Sequence, residues 1–296
     1  NELNDELAQK YRERNFFIAV NDSVLFLQEV AKSIAQSFQK QGGKLIAICG
    51  SNGKTTTKEM LYHLLSATKG NAHCTQKNNN NHIGVPLTLL QLLPETKYCV
   101  LELGSNHPGE IKVLCDIAQA RYGVTTNIGD THLEFFQNRT NVFKEEGHLY
   151  HAVDSVEGDK TFFLNLDDEY LKTLDIKDFV HTFGGDEKCA TTIKAAYDEV
   201  SIGQNGESLK ITNSELTGEH NFFNMGVAMM IASKITDEKL SYFNESAKGF
   251  VPTANRSQWL QVKESQVFLD AYNANPSSMK AALRGFRAQV VKDQVE

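Results

Sequence analysis

Apolar residues recur at helical intervals through Val24, Leu27, Val30, Ile34 and Phe38, and the run stops at Gly42-Gly43. Spacings of three and four residues put these positions on one stripe, so the segment is predicted to be a helix closed by glycine. The pattern then changes. "KLIAIC" is an unbroken apolar run of the kind a strand buried on both faces shows, and "KTTTKEMLYHLLSATKG" behind it is predicted to be a helix, again ended by glycine. The pairing repeats in "YCVLEL" with "PGEIKVLCDIA", "YGVTTNI" with a helix around 140 to 153, and "TFFLNL" with "DDEYLKTL". Strands alternating with helices predict an α/β fold, a mostly parallel sheet with helices on both faces.

Short β-rich pieces near 179 to 213 lead into "GEHNFFNMGVAMMIASKI", a further predicted helix. "FVPTANR" then reads as an interdomain linker, followed by a strand in "QVFLDAY" and a helix in "SSMKAALRGFRAQVV". One strand and one helix are too little for an independent domain, so the start of a second, Rossmann-like α/β domain is expected there. Ahead of the first helix lie a polar lead-in and a short apolar piece, "NFFIAV". No internal repeat is evident.

Composition narrows the function class. With 296 residues and 41% hydrophobic content, the chain is long enough for roughly two domains. A formal charge of −7 lacks the basic face that nucleic-acid or anionic-membrane binding needs, so any anionic ligand must be held locally. Five cysteines, odd in number and mostly within apolar runs, read as small buried hydrophobes of a reducing compartment. No window approaches 18 uninterrupted apolar residues and the start has no apolar signal region, so neither membrane insertion nor secretion is expected and the default location is the cytoplasm.

The candidate chemistry starts at "CGSNGKTTTKE", residues 49 to 59. A common phosphate loop has glycine five residues before its Gly-Lys pair, and that position here is Ile48. The context nevertheless suits a phosphate loop, because a strand precedes it and a helix follows. Glycines at 50 and 53 let backbone N–H groups turn toward an anion, the helix N-terminus adds partial positive charge, Lys54 can reach β- and γ-phosphates, and the Thr55 hydroxyl can ligate Mg²⁺. Glu102 ends the next strong strand and is placed to complete a magnesium shell, although a lone strand-end carboxylate is more often merely solvated. His132, in "TNIGDTHLE", falls on the same sheet edge and is a second candidate ligand.

Six segments, "GSNGKTTTKEM", "NNNNHIGVPLTLL", "VLELGSNHPGEI", "TNIGDTHLE", "LTGEHNFFNMGVA" and "LDAYNANPSSMKAAL", occur in the order found in the Mur ligases, and the chain resembles that family over about residues 15 to 296. The family's short Gly-x-x-Gly-Lys-Thr loop accounts for Ile48. The resemblance implies an ATP-dependent amide ligase that works through an acyl phosphate, and the branch it is most similar to joins D-alanyl-D-alanine to UDP-N-acetylmuramoyl-tripeptide in peptidoglycan precursor synthesis. It implies a nucleotide site from Gly50, Ser51, Asn52, Gly53, Lys54, Thr55 and Thr56, with His220, Asn221 and Asn224 near the adenine. Arg256 and Asp270 would approach the phosphates and ribose. Thr55 and Glu102 would hold a first magnesium and His132 would help hold a second. Asn78, Asn80 and Asn81 would face the muramoyl substrate, which makes the asparagine run more than solvated filler.

The same resemblance divides the chain into the tail of an N-terminal UDP-substrate domain with its linker (1 to 43), a central ATP-binding domain (44 to 250) and the incomplete beginning of a C-terminal ligase domain (251 to 296). A monomer without a nucleic-acid partner is expected. One departure stands out. Where the family has a carbamylated lysine, "FKEEGHLYHAV" places Glu146, and Lys144 matches an earlier, variable lysine. Either Glu146 supplies a carboxylate to the catalytic centre directly, or Lys144 is modified in a shifted helical register. Two other readings stay open: a nucleotide-binding protein that no longer joins substrates, and a sibling ligase such as a folylpolyglutamate synthase. The text after Asp270 argues against the sibling.

Overall fold

The computed structural model describes residues 18–252, 256–271 and 274–293. The lead-in through residue 17 and the centre of the predicted linker, 253–255, lie outside the described residues. The first helix, α1 (Ser23–Lys40), starts at Asp22, whose carboxylate accepts from the Val24 and Leu25 N–H groups, a side-chain cap for donors that have no intrahelical partner. Then follow β1 (Lys44–Cys49), α2 (Lys54–Ser66), β2 (Asn71–Cys74), α3 (Gly84–Leu89), β3 (Thr96–Glu102), α4 (Glu110–Ala118) and β4 (Tyr122–Thr125). The predicted helix around 140 to 153 is two, α6 (Arg139–Glu146) and α7 (His148–Ser155), separated at Gly147 and preceded by a single turn, α5 (Leu133–Phe136). Beyond them lie β5 (Thr161–Asn165), β6 (Val180–Gly184), β7 (Thr191–Ala195), β8 (Glu199–Gln204), β9 (Glu207–Thr212), α8 (Glu219–Thr236) and α9 (Asn244–Lys248). The "DDEYLKTL" segment forms only a 3-10 turn at Leu171–Thr173.

Nine strands make one sheet in the order β2-β3-β1-β4-β5-β6-β7-β8-β9. Pairings are parallel from β2 to β7, and β8 and β9 add an antiparallel edge. Both faces are covered, as near-continuous apolar strands require. One core forms where α2 and α8 lie against Ile46, Ile48, Val124 and Phe163. The other gathers Leu45, Ala47, Cys49 and Leu101 under α1, α4 and α7. All five cysteines are buried and unbridged, as their apolar settings predict.

The C-terminal part differs from the predicted single strand. An antiparallel hairpin, β10 (Gln258–Val262) with β11 (Ser265–Leu269), precedes α10 (Pro276–Asp293). Its glutamines and lysine conceal the alternation of Trp259 against Phe268, which touch across the pair and against Phe286.

The consequence for the site is topological. The chain leaves β1 for β2 and β3 on one side and later reaches β4 and β5 on the other. β1 is therefore the switch point of the sheet, and the crevice beyond its carboxyl end is where open α/β sheets bind ligands.

Candidate active site

The register fixes which residues meet there. Ile48 pairs with Glu102 and Cys49 with Thr125, so the loop after β1, the end of β3 and the segment after β4 converge. Gly50 and Gly53 hold the loop in its turn with φ of +121° and +82°, a region that side chains rarely enter. The Ser51 N–H donates to Asn127 O (2.9 Å), and the Ser51 hydroxyl accepts from the Gly129 N–H (2.8 Å). Asn127 clamps Asn52 from both sides: its Oδ1 accepts from the Asn52 N–H at 3.1 Å and its amide donates to Asn52 O at 3.0 Å. Lys54 opens α2 and donates to Gly50 O and Ser51 O at 2.5 and 3.4 Å, which keeps its ammonium over the loop.

Glu102 is 3% exposed and lines the cleft. Its Oε1 accepts from the Asn80 amide at 2.9 Å, while Oε2 is buried with no hydrogen-bond partner. An orphaned carboxylate oxygen is costly to bury and is a natural place for a cation. Together with the Thr55 hydroxyl on the same cleft wall, it offers the hard oxygen donors that Mg²⁺ prefers, and Mg²⁺ usually combines one or two such donors with waters and substrate phosphates. His132 lines the same cleft in a left-handed conformation (φ 48°). Burial, followed by the nearby Lys54 charge, lowers its pKa below the ordinary value, so at neutral pH the imidazole keeps a free lone pair.

The cleft, of about 680 Å³, gathers most of the sequence-predicted residues. Ser51 to Thr56, Asn78, Asn80, Asn81, His220, Asn221, Asn224, Arg256 and Asp270 all line it. Asn224 abuts Gly53 so closely that a Cβ there would lie 2.8 Å from its Oδ1. Burial pushes the His220 pKa down, leaving a neutral ring at 3.4 Å from the Ser257 hydroxyl. Asp270 accepts from the Ser257 N–H at 3.0 Å. The asparagine run divides its work: Asn80 grips Glu102, Asn81 caps α3 through the Ile83 and Gly84 N–H groups, and Asn78 is exposed on the wall.

Gly50, Lys144 and Glu146 are the candidates that the structure does not bring to the cleft lining. Glu146 is buried behind the loop with its Oε2 accepting from the Gly50 N–H at 2.8 Å. Lys144 lies two residues earlier, roughly 200° around the helix, and is exposed. Position on α6 decides both outcomes, since the buried face of that helix carries Val142, Glu145 and Glu146.

Several contributors escaped the sequence reading. Asn127 had a visible signal, an amide just past a strand on the candidate edge. Asn275 donates to Asn52 Oδ1 at 2.7 Å and so joins the C-terminal part to the loop. Glu145 accepts from the Gly109 and Ile111 N–H groups, both at 2.7 Å, capping α4. Two successive buried glutamates of one short helix thus fasten the starts of two different loop-helix units.

The model of the Mur ligase middle domain matches residues 48–232. The chain belongs to the Mur ligase family. It is 30% identical over 281 residues to the UDP-N-acetylmuramoyl-tripeptide--D-alanyl-D-alanine ligase of Bacillus subtilis (strain 168), covering 92% of this chain and 58% of that relative. The enzyme of the same name from Escherichia coli (strain K12) is 30% identical over 293 residues, 94% of this chain and 63% of the relative. In structure, this Mur ligase chain superposes on MurF from Acinetobacter baumannii with a TM-score of 0.77 at 27% identity, covering 92% of this chain and 61% of that one. A MurF ligase from Thermotoga maritima, solved in complex with ADP, shares the fold at a TM-score of 0.79 and 24% identity, over 92% of this chain and 64% of its own. The chain thus spans about three fifths of the length of the relatives it matches. Among the described residues, no helix is long and apolar enough to cross a membrane.

Proposed function

We propose that this chain performs the ATP-dependent step of an amide ligase that joins D-alanyl-D-alanine to UDP-N-acetylmuramoyl-tripeptide, in cytoplasmic peptidoglycan precursor synthesis. The observation that carries the reading is the meeting of a phosphate loop, a buried carboxylate oxygen on Glu102 that has no hydrogen-bond partner and a neutral His132 in one cleft at the switch point of the sheet. The names of the relatives favour this branch over the sibling ligases.

In this reading the tripeptide carboxylate attacks the γ-phosphorus of ATP, a C–O–P bond forms, and ADP leaves. The amine of D-alanyl-D-alanine then adds to the activated carbonyl carbon, and collapse of the tetrahedral intermediate expels phosphate with loss of the amine proton. Lys54, the loop N–H groups and the start of α2 bind the β- and γ-phosphate oxygens and stabilise the charge that grows there during transfer. Thr55, Glu102 and His132 would hold Mg²⁺, which when bound neutralises phosphate charge. His220, Asn221 and Asn224 form the wall for the base, Arg256 and Asp270 approach the phosphates and ribose from the C-terminal part, and Asn78, Asn80 and Asn81 face the muramoyl substrate. The nucleotide is assigned to residues 44 to 250, with 251 to 296 contributing from a second α/β unit, and the working form is a monomer.

Phosphate release measured with ATP, the UDP-muramoyl-tripeptide and D-alanyl-D-alanine tests the reading. Release that needs both acceptors supports it. ATP binding without coupled release would sink it for this chain and favour a non-ligating nucleotide-binding role.

A further inference from the structure

Lys58 is among the largest fully buried side chains of the described residues, at 0% exposure. Lysine is almost never buried without partners, and here it lies on the core-facing stripe of α2 with Leu61 and Leu65. Its ammonium donates to Thr75 O at 2.7 Å, pairs with the Glu59 carboxylate at 2.7 Å, and stands 3.9 Å from Glu102 Oε2. Thr75 links the same two residues a second time, because its hydroxyl accepts from the Glu102 N–H at 2.9 Å. Glu102 is therefore held at its backbone through Thr75, at Oε1 by Asn80, and electrostatically at Oε2 by Lys58.

A separation of 3.9 Å is too long for a hydrogen bond and short enough for charge to act. Oε2 thus has a counter-charge without having its lone pairs used. Glu59, with a quarter of its side chain exposed, shares its charge with solvent, so the one buried ammonium lies between a half-buried carboxylate and the buried Glu102, and a cation on the cleft side would add to the compensation of Glu102.

We propose that Lys58 is a positioning residue: from behind the cleft it fixes the Glu102 carboxylate in a conformation that leaves the lone pairs of the buried Oε2 unused by hydrogen bonds, for the divalent cation that accompanies the nucleotide. A lysine with only a packing role would be satisfied by Thr75 O and Glu59 alone. The inference rests on the nucleotide-site reading above.

The test is a titration of Mg²⁺ against ADP binding by the full chain, followed by calorimetry, with thermal stability measured alongside. Wild type is compared with Lys58→Met and Lys58→Gln, each alone and combined with Glu102→Gln. Lys58→Gln keeps an amide donor for Thr75 O while removing the charge, so it carries the comparison where the methionine variant does not fold. The expected result is a rise of roughly tenfold in the Mg²⁺ concentration for half-maximal binding, the range seen when the support of a metal ligand is removed. Affinity for ADP without Mg²⁺ stays unchanged, and in the Glu102→Gln background the Lys58 substitutions add no further Mg²⁺ effect. A lowered melting temperature with an unmoved Mg²⁺ midpoint, or an equal shift in both backgrounds, overturns the proposal. Wild-type ADP binding that ignores Mg²⁺ overturns this inference alone, whereas failure of wild type to bind ADP at any Mg²⁺ concentration overturns the nucleotide-site reading itself.

Discussion

The Glu146 carboxylate accepts a hydrogen bond from the Gly50 N–H at 2.8 Å, fastening the end of α6 to the first residue of the phosphate loop. The bond serves architecture more than chemistry: it satisfies a backbone donor in a left-handed turn and joins the helix that follows His132 to the loop that carries Lys54. Burial, only partly offset by Lys54, raises the Glu146 pKa. Ionising this group in the folded protein therefore costs stability, and the cost appears as pH climbs from the unfolded carboxylate range, about 4.3, through the raised folded value. Glu146→Gln keeps an acceptor for Gly50 without the charge. Its stability relative to wild type is expected to improve as pH rises through that window, as read from denaturant midpoints at a series of pH values. A gap that stays constant or moves the other way contradicts the assignment.

Glu145 makes a contrasting case. Replacing it by alanine removes the acceptors for the Gly109 and Ile111 N–H groups, at a cost of about 1–3 kcal/mol in unfolding free energy. ADP affinity is expected to hold, because the Glu145 hydrogen bonds go to Gly109 and Ile111 and not to the phosphate loop. A calorimetric loss of ADP binding matching the loss of stability would show that the two glutamates do not act separately.

Gly53→Ala forces a side chain into φ +82° and against the Asn224 amide. Left-handed strain alone is worth roughly 1–2 kcal/mol. The expected outcome is a lowered melting temperature together with weakened ADP binding. Adding Asn224→Ala makes room for the methyl group and leaves the backbone strain, so the pair of changes recovers only part of the loss.

Lys54→Met separates binding chemistry from folding. The ammonium bonds loop carbonyls at a half-buried position, so stability is expected to change by no more than about 0.5 kcal/mol, as for other substitutions outside the core. Phosphate release is expected to fall by roughly 10²-fold or more, the usual consequence of removing a donor that stabilises developing charge. Unfolding transitions and release rates on the same preparation check both halves.

Much of this was legible in the sequence where a single period dominates. The runs of β1, β3 and β5 have unbroken apolar centres, and a strand buried on both faces confines its polar residues to its ends. The cleft was legible because Lys54 and His132 follow strands and Glu102 ends one, and parallel strands bring their carboxyl ends to one edge. The break at Gly147 was hidden, since apolar spacing continues across it and only the backbone turn divides the helix. The hairpin at β10 was masked by Gln258 and Gln261, which put one polar residue on each face of the strand and break the alternation. Glu146 was singled out by its match to the family's carbamylated lysine, and the hydrogen bond that its carboxylate accepts from the Gly50 N–H is a contact that no sequence pattern reveals. Lys58 carried a signal that periodicity does offer, a cation on an apolar stripe, and such a cation needs partners that only the fold identifies.

The central claim is that the chain activates a carboxylate by phosphoryl transfer, and isotope transfer tests it most directly. With the UDP-muramoyl-tripeptide labelled by ¹⁸O at its reacting carboxylate, the full chain, ATP, Mg²⁺ and D-alanyl-D-alanine are incubated, and phosphate and peptide product are analysed by mass spectrometry. The expected result is one ¹⁸O atom in each phosphate released, in step with formation of the extended peptide. Phosphate that forms without label, while the tripeptide keeps both of its labelled oxygens, would contradict the account.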